Sequence, residues 1–153
     1  MNRFTTSPAA DRHEQNDYDL ERFVAAQDRD LDRACAEMQA GAKQTHWMWY
    51  VFPQLASLGR SDMAKHFGLR DLDEARAYLA HPKLGPRLVE RSRQALEVDG
   101  RTAQMIFGTT DALKFCSCMT LFAAADPQQA VFRECLEKYC GGQQDQQTLQ
   151  SLT

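Results

Sequence analysis

Apolar residues near the start of the chain recur every three or four positions, which is the spacing of residues on one face of an α-helix. The stripe runs through Leu20, Phe23, Val24, Leu31, Ala34, Cys35 and Met38. Gly41 follows at the position where a glycine commonly ends a helix. Residues 28–30 interrupt the stripe, and Asp28 or Asp30 would cap a second helix if the first one breaks there. The pattern predicts one long or two shorter amphipathic helices.

The later helices are marked by their ends. Ser61 is placed to cap a short helix, and Asp71 and Glu74 have the spacing of a capping box. Residues 126–129 place an aspartate as cap, a proline at the first helical position and a glutamine at the third. Asp145 would cap a last helical turn. These signals divide the rest of the chain into short helices.

Signals for β-strands are few. No stretch alternates apolar and polar residues between hairpin turns, and only residues 47–52 would also suit a strand. The chain has no repeat of the roughly 30–45 residues used by helical arrays, and its 153 residues fit one domain. We predict an all-α fold, a compact single-domain bundle of seven or eight short helices over residues 17–153. Residues 1–16 are polar and aperiodic, which predicts a disordered N-terminal tail.

Charge and hydropathy exclude some classes of protein. The 18 basic and 21 acidic residues give a net charge of −3, so the basic surface of a general nucleic-acid binder is not expected. No apolar run approaches the roughly 18 residues that span a bilayer, and residues 1–16 lack the apolar segment of a secretory signal. We predict a cytoplasmic protein with no membrane contact.

The five cysteines have no regular spacing; they are Cys35, Cys116, Cys118, Cys135 and Cys140. An odd count without a signal peptide predicts reduced thiols, most of them small buried apolar side chains. Cys116 and Cys118 are too close together to hold a tetrahedral metal without two further ligands, and no obvious pair lies nearby. We predict no metal site and no cofactor.

Aromatic residues are concentrated in residues 47–52, which hold four of the chain's fourteen. On a helix, His46 lies near Trp49 and Tyr50, and an indole ring offers a flat surface on which a base or sugar stacks. A neighbouring histidine donates, accepts or transfers a proton. The segment predicts a ligand site with Trp47 or Trp49 as the stacking residue and His46 beside it. The alternative is that the aromatics form the core and His46 is a hydrogen-bonded neighbour.

The helix predicted from about Thr109 to Ala125 is apolar on nearly every side, which indicates a buried central helix. Lys114 and Ser117 nevertheless share one of its faces. A lysine in such a helix has to reach water, pair with an acid or line a cavity, because a buried charge needs compensation. In a cavity, Lys114 would bind a phosphate or carboxylate, or act as a base. The alternative is a solvated lysine paired with Asp111, three residues earlier.

A third candidate lies at residues 81–87, where prolines, a glycine and basic residues start a helix. Backbone N–H groups at that start, with Arg87 and His81, would suit an anion. The alternative is a solvated face punctuated by proline and glycine. The chain has no glycine-rich phosphate loop, no His-Glu-x-x-His and no Gly-x-Ser-x-Gly motif, so an ordinary NTPase, zinc protease or α/β-hydrolase is not expected.

Three segments in fixed order, residues 46–54, 78–88 and 106–122, resemble a bacterial family catalogued as domain of unknown function 1810. The resemblance extends over about residues 18–152. It implies a compact all-α fold, in agreement with the periodicity, and it implies no activity.

Members of that family are often labelled "calpastatin", after the calpain inhibitor. Such inhibitors resemble disordered repeats rich in proline and lysine, whereas this chain has five prolines, 43% hydrophobic residues and no repeat. We predict that the chain is not a calpain inhibitor. The resemblance also places Ser117 and Cys118 where many members have two serines, which gives no support to Cys118 as an essential thiol.

Together these features predict a protein that binds a small anionic, nucleotide-like molecule in one cleft. Lys114 and Arg87 would meet the anionic group, while Trp47 or Trp49 stacks on the ring beside His46. If the ligand is turned over, the candidate acid, base and polarising groups are Lys114, Ser117, His46 and Asp111. The alternative is a non-catalytic interaction module in which residues 47–52 dock a partner protein or a second copy of the chain. The residues leave open whether the protein is an enzyme, and whether it is a monomer or a homodimer.

Overall fold

The computed structural model describes residues 18–152, and the elements found there are helices. In chain order they are α1 (Glu21–Ala40), α2 (Met48–Val51), a 3₁₀ turn (Ala56–Leu58), α3 (Asp62–His66), α4 (Leu72–Ala80), α5 (Leu84–Glu97), α6 (Ala103–Phe107), α7 (Thr109–Ala125), α8 (Ala130–Tyr139) and α9 (Gln146–Leu152). The predicted all-α class is confirmed. Residues 18–152 contain nine α-helices, and one of them is the short helix at residues 48–51, where the sequence would also have suited a strand. None of these helices is both long and apolar enough to cross a membrane. The predicted tail at residues 1–16 lies outside the described residues.

Four helix ends lie at predicted capping residues. Gly41 ends α1 in the left-handed conformation, with φ of 70°, which glycine adopts without strain. The side chains of Ser61, Asp71 and Asp145 accept backbone N–H groups at the starts of α3, α4 and α9. The capping signals therefore define these three starts correctly.

Asp30 and Asp126, which were predicted as possible helix caps, make other contacts. α1 is continuous through residues 28–30, where Asp30 accepts a hydrogen bond from the Tyr50 hydroxyl. The predicted start of α8 is wrong, because residues 126–129 form a turn and the helix begins at Ala130. A short acidic side chain satisfies whichever donor lies nearest, and the sequence does not show which donor that is.

α7 is the central helix, as its sequence predicts. It packs against α4, α6, α8 and α9. Its fully buried apolar side chains are Phe115, Cys118, Met119, Leu121 and Phe122. The Phe115 ring centroid lies 5.1 Å from that of Phe52 and 4.7 Å from that of Phe107, so the aromatic segment packs directly on this helix. The polar face of α7 is left to line a groove at the surface.

The prediction of reduced thiols is wrong for one pair of cysteines. Cys116 on α7 and Cys140 at the end of α8 form a disulfide across a sequence separation of 24, with their Cα atoms 6.0 Å apart. Only the packing of α7 against α8 brings the two positions together, so their spacing in the sequence gives no sign of it. Cys118 and Cys135 are free and buried, and burial raises the pKa of the Cys135 thiol to about 12. Cys35 is free and partly exposed.

Candidate functional site

A groove of about 820 Å³ runs along the polar face of α7. The α7 wall consists of Thr110, Leu113, Lys114 and Ser117, which recur at the three- and four-residue spacing of one helix face. The second wall is formed within residues 54–64, and the third wall is residues 144–147. Ligand pockets in proteins commonly measure roughly 300–1,000 Å³, so the groove has room for a molecule the size of a nucleotide.

Lys114 belongs to a cluster of two lysines and one aspartate. The Lys43 ammonium lies 2.9 Å from one Asp111 carboxylate oxygen, and the Lys114 ammonium lies 3.8 Å from the other. The Lys43 side chain is only 7% exposed, whereas that of Lys114 is 24% exposed and lines the groove. The cluster carries one surplus positive charge. Because Lys43 makes the closer and more buried pair, that surplus lies at Lys114.

Trp49 lies beside Lys114, where the groove meets the aromatic segment. The Lys114 ammonium is 5.7 Å from the centroid of the Trp49 ring, within the range of a cation–π contact. Trp49 and Lys114 also line a small void of about 10 Å³, together with Gln54 and Ala64 of the second wall. The indole nitrogen of Trp49 is buried and has no hydrogen-bond partner.

Trp47, the other predicted stacking residue, is fully buried and is held by Glu37. Its indole N–H donates to the Glu37 carboxylate at 2.8 Å. The same carboxylate accepts the backbone N–H groups of Gln44 (2.8 Å) and Thr45 (3.0 Å) and the Thr45 hydroxyl (2.8 Å). Burial alone would raise the pKa of Glu37, but the four hydrogen bonds favour the ionised form and lower the pKa to about 2. Trp47 therefore offers no ring face to a ligand.

The structure separates one of the four residues predicted for proton transfer, His46, from the other three. Ser117 lines the groove, but its hydroxyl donates to the Leu113 carbonyl at 3.1 Å, one turn back in α7. His46 is exposed, and its ring centroid lies 6.4 Å from that of Trp49. Of the four candidates for turnover, the structure brings Lys114, Asp111 and Ser117 to one end of α7 and leaves His46 beside the aromatic segment.

The third wall is tied to α7 at two points. The hydroxyl of the fully buried Thr120 donates to the Cys116 carbonyl and accepts the Asp145 N–H, both at 2.8 Å. The disulfide joins Cys116 to Cys140, shortly before this wall begins. The Asp145 carboxylate caps α9 by accepting the N–H and hydroxyl of Thr148 at 2.9 and 2.6 Å. These two hydrogen bonds fix the orientation of the Asp145 carboxylate at the start of α9.

Comparison with known proteins settles the family. The family model described as "Protein of unknown function (DUF1810)" matches residues 17–152. The chain belongs to the DUF1810 family. The crystal structure of the conserved hypothetical protein Rv1873 from Mycobacterium tuberculosis is 47% identical in sequence and similar in fold, with a TM-score of 0.87 over 88% of this chain and 96% of that chain. None of the curated proteins matches this chain.

Two predicted ligand residues of this DUF1810 protein lie away from the groove. The His81 ring accepts the backbone N–H groups of Lys83 (3.1 Å) and Leu84 (3.3 Å), so it caps α5. Arg87 donates to the Asp28 carboxylate at 2.8 Å and joins α5 to α1. Neither residue lines the groove.

The sequence did not reveal two walls of the DUF1810 groove. Arg60 of the second wall is exposed and takes part in none of the ion pairs found between residues 18 and 152. Gln54 and residues 144–147 add amide and backbone groups. These positions lie in loops and helix starts with no periodic pattern, and only the fold brings them opposite α7. The same range contains no group of three or more His, Cys, Asp or Glu side chains able to hold a metal ion.

Proposed function

We propose that this protein binds a small anionic, nucleotide-like molecule in the groove along α7. The observation that carries the proposal is the surplus positive charge of Lys114. Its aspartate is already paired with the more buried Lys43, and its own ammonium group reaches a groove of about 820 Å³. A partly desolvated cation facing such a groove attracts an anionic group more strongly than an exposed lysine does.

The groove has groups for both parts of a nucleotide-like ligand. Arg60 provides a second cation on another wall, so two basic side chains and one acidic side chain, Asp145, line the groove. Leu58 and Leu113 provide apolar surface for a ring. Leu113 is 67% exposed although it is a large apolar residue, and a ring packed on it would cover that surface.

The proposal is for binding. Lys114, Ser117 and Asp111 remain the groups to examine if a bound molecule is also turned over. The proposed ligand site does not include Trp47, His81 or Arg87, because each of these side chains makes structural contacts elsewhere.

The alternative function, docking of a partner protein through the aromatic segment, has less support. Trp47, Tyr50 and Phe52 are at most 3% exposed, so most of that segment is core. A molecular mass that rises with protein concentration, together with no ligand in the screen below, would favour docking over ligand binding.

A thermal-shift screen against nucleotides, sugar phosphates and common metabolites tests the proposal, with nucleosides as neutral counterparts. A ligand at 100 times its Kd adds about 2.7 kcal/mol, which raises the Tm by roughly 5–10 °C at this chain length. We expect a shift with anionic compounds that is lost in Lys114→Met. Lys83→Met is the matched control, because Lys83 is an exposed lysine outside the groove. A ligand whose affinity is equal in the wild type and Lys114→Met would contradict the proposal.

A further inference from the structure

We infer that Trp49 and Lys114 form an oxyanion subsite, in which the indole N–H and the ammonium group bind the same terminal oxygen of the ligand. The inference rests on the proposed function. It specifies which atom of the ligand enters furthest and which protein atoms receive it.

The first observation is the difference between the two tryptophans. The indole N–H of Trp47 is paired with Glu37 at 2.8 Å, whereas that of Trp49 is buried and has no partner. Buried donors in folded proteins are almost always paired, because an unpaired donor has lost its water without gaining a substitute. An unpaired donor beside a groove therefore marks a position for an acceptor that comes from outside the chain.

The second observation is the void that Trp49 and Lys114 share. Its volume is about 10 Å³, close to the smallest space that holds one water molecule or one oxygen atom. Gln54, Ala64 and Lys114 line both the void and the groove, so the two spaces adjoin. A single oxygen enters the void, while the atom that carries it stays in the groove.

The third observation is the charge at the junction of the two spaces. The Lys114 ammonium lies 5.7 Å from the centroid of the Trp49 ring and keeps the surplus charge of its cluster. A neutral carbonyl or hydroxyl oxygen would satisfy the indole N–H but gain little from this charge. An anionic oxygen is stabilised by both the Trp49 indole N–H and the Lys114 ammonium group, since hydrogen bonds to ionised groups are stronger than those between neutral groups. The subsite therefore fits a terminal phosphoryl or carboxylate oxygen.

The test uses three adenosine compounds with full-length protein labelled with ¹⁵N. AMP carries a phosphoryl group, adenosine-5′-carboxylic acid carries a carboxylate, and adenosine carries neither. The chain has two tryptophans, so two indole N–H signals are expected, and Trp49→Phe and Trp47→Phe assign them. We expect saturating AMP or the carboxylic acid to move the Trp49 signal and slow its exchange with water, and the Trp47 signal to stay in place.

Affinity measurements complete the test. Loss of one hydrogen bond to a charged group corresponds to a Kd about 10- to 100-fold higher, and we expect this for the anionic compound in Trp49→Phe. Trp47→Phe is the control; it removes a bond to Glu37 and should leave the Kd unchanged. The compound that binds identifies the phosphoryl or the carboxylate group as the source of the oxygen.

The outcomes separate this inference from the proposed function. An anionic compound that needs Lys114 but leaves the Trp49 signal and the Trp49→Phe affinity unchanged would overturn the subsite and leave the groove as the binding site. Equal affinity for adenosine and AMP would overturn the role of the anionic oxygen. If neither anionic compound binds the wild type, the subsite is wrong and the proposed nucleotide-like ligand is wrong with it. The signal shift in the wild-type protein keeps the test valid even if Trp49→Phe fails to fold.

Discussion

Replacement of Glu37 by glutamine tests how the aromatic segment is fixed to α1. Glutamine has the same shape, and its amide can keep a partner at each of the four positions that contact the carboxylate. The substitution therefore removes the negative charge and little else. We expect Glu37→Gln to lower the free energy of unfolding at neutral pH.

The size of the effect follows from the pKa of Glu37. Folding lowers it from 4.5 to about 2, and each pH unit corresponds to about 1.36 kcal/mol, which gives an upper limit of about 3.4 kcal/mol. The side chain is partly exposed, and solvent screening reduces this to about 2 kcal/mol. The Tm should fall by roughly 4–8 °C.

The pH dependence gives the sign of the effect. A carboxylate with a lowered pKa stabilises the fold above its unfolded pKa, and that stabilisation is lost as the pH falls through the folded value. The wild type should therefore lose its advantage over Glu37→Gln between about pH 4.5 and pH 2. Urea denaturation across this range measures it, with Glu137→Gln, which changes an exposed glutamate on α8, as the control. A stability gap between wild type and Glu37→Gln that persists at pH 2 would refute the electrostatic explanation.

Two further substitutions test the fold. Cys140→Ser removes the disulfide to Cys116. For a sequence separation of 24, the chain-entropy relation predicts that the free energy of unfolding falls by about 3.5 kcal/mol. A denaturation midpoint equal to that of the wild type under oxidising conditions would show that the bond does not form. Gly85→Ala places a Cβ 2.0 Å from the Leu79 carbonyl oxygen, so we expect the free energy of unfolding to fall by more than about 2 kcal/mol in the same assay. An unchanged denaturation midpoint would contradict the close approach of α4 and α5.

The fold class could be predicted because its signals are local. Ser61, Asp71 and Asp145 cap helices with side chains that reach only three residues along the chain. The apolar residues on nearly every side of α7 likewise indicate its central position without any knowledge of its neighbours. The start of α8 was missed because Asp126 has the same local signal and forms a turn instead.

The candidate site could be predicted only in part, because its charges depend on distant residues. Lys114 stood out as a charge in an apolar helix, and Asp111 was found as its neighbour three residues away. Lys43, which leaves Lys114 with the surplus charge, lies 68 positions from Asp111 in the sequence and carries no motif. The separate environments of Trp47 and Trp49 depend on Glu37 and on the void, and neither is visible in the spacing of the two indoles.

The two sides of the groove differ in stiffness. The Cys116–Cys140 disulfide joins α7 to the chain four residues before the third wall, and the Thr120 hydroxyl, one turn later on α7, accepts the Asp145 N–H of the wall itself. We therefore expect the third wall to move with the central helix. The second wall is held by backbone hydrogen bonds such as those that join Gln54 and Ala56 to Leu69. When the groove adapts to the width of what it holds, we expect the displacement to fall on residues 54–64, while α7 and the third wall keep their spacing.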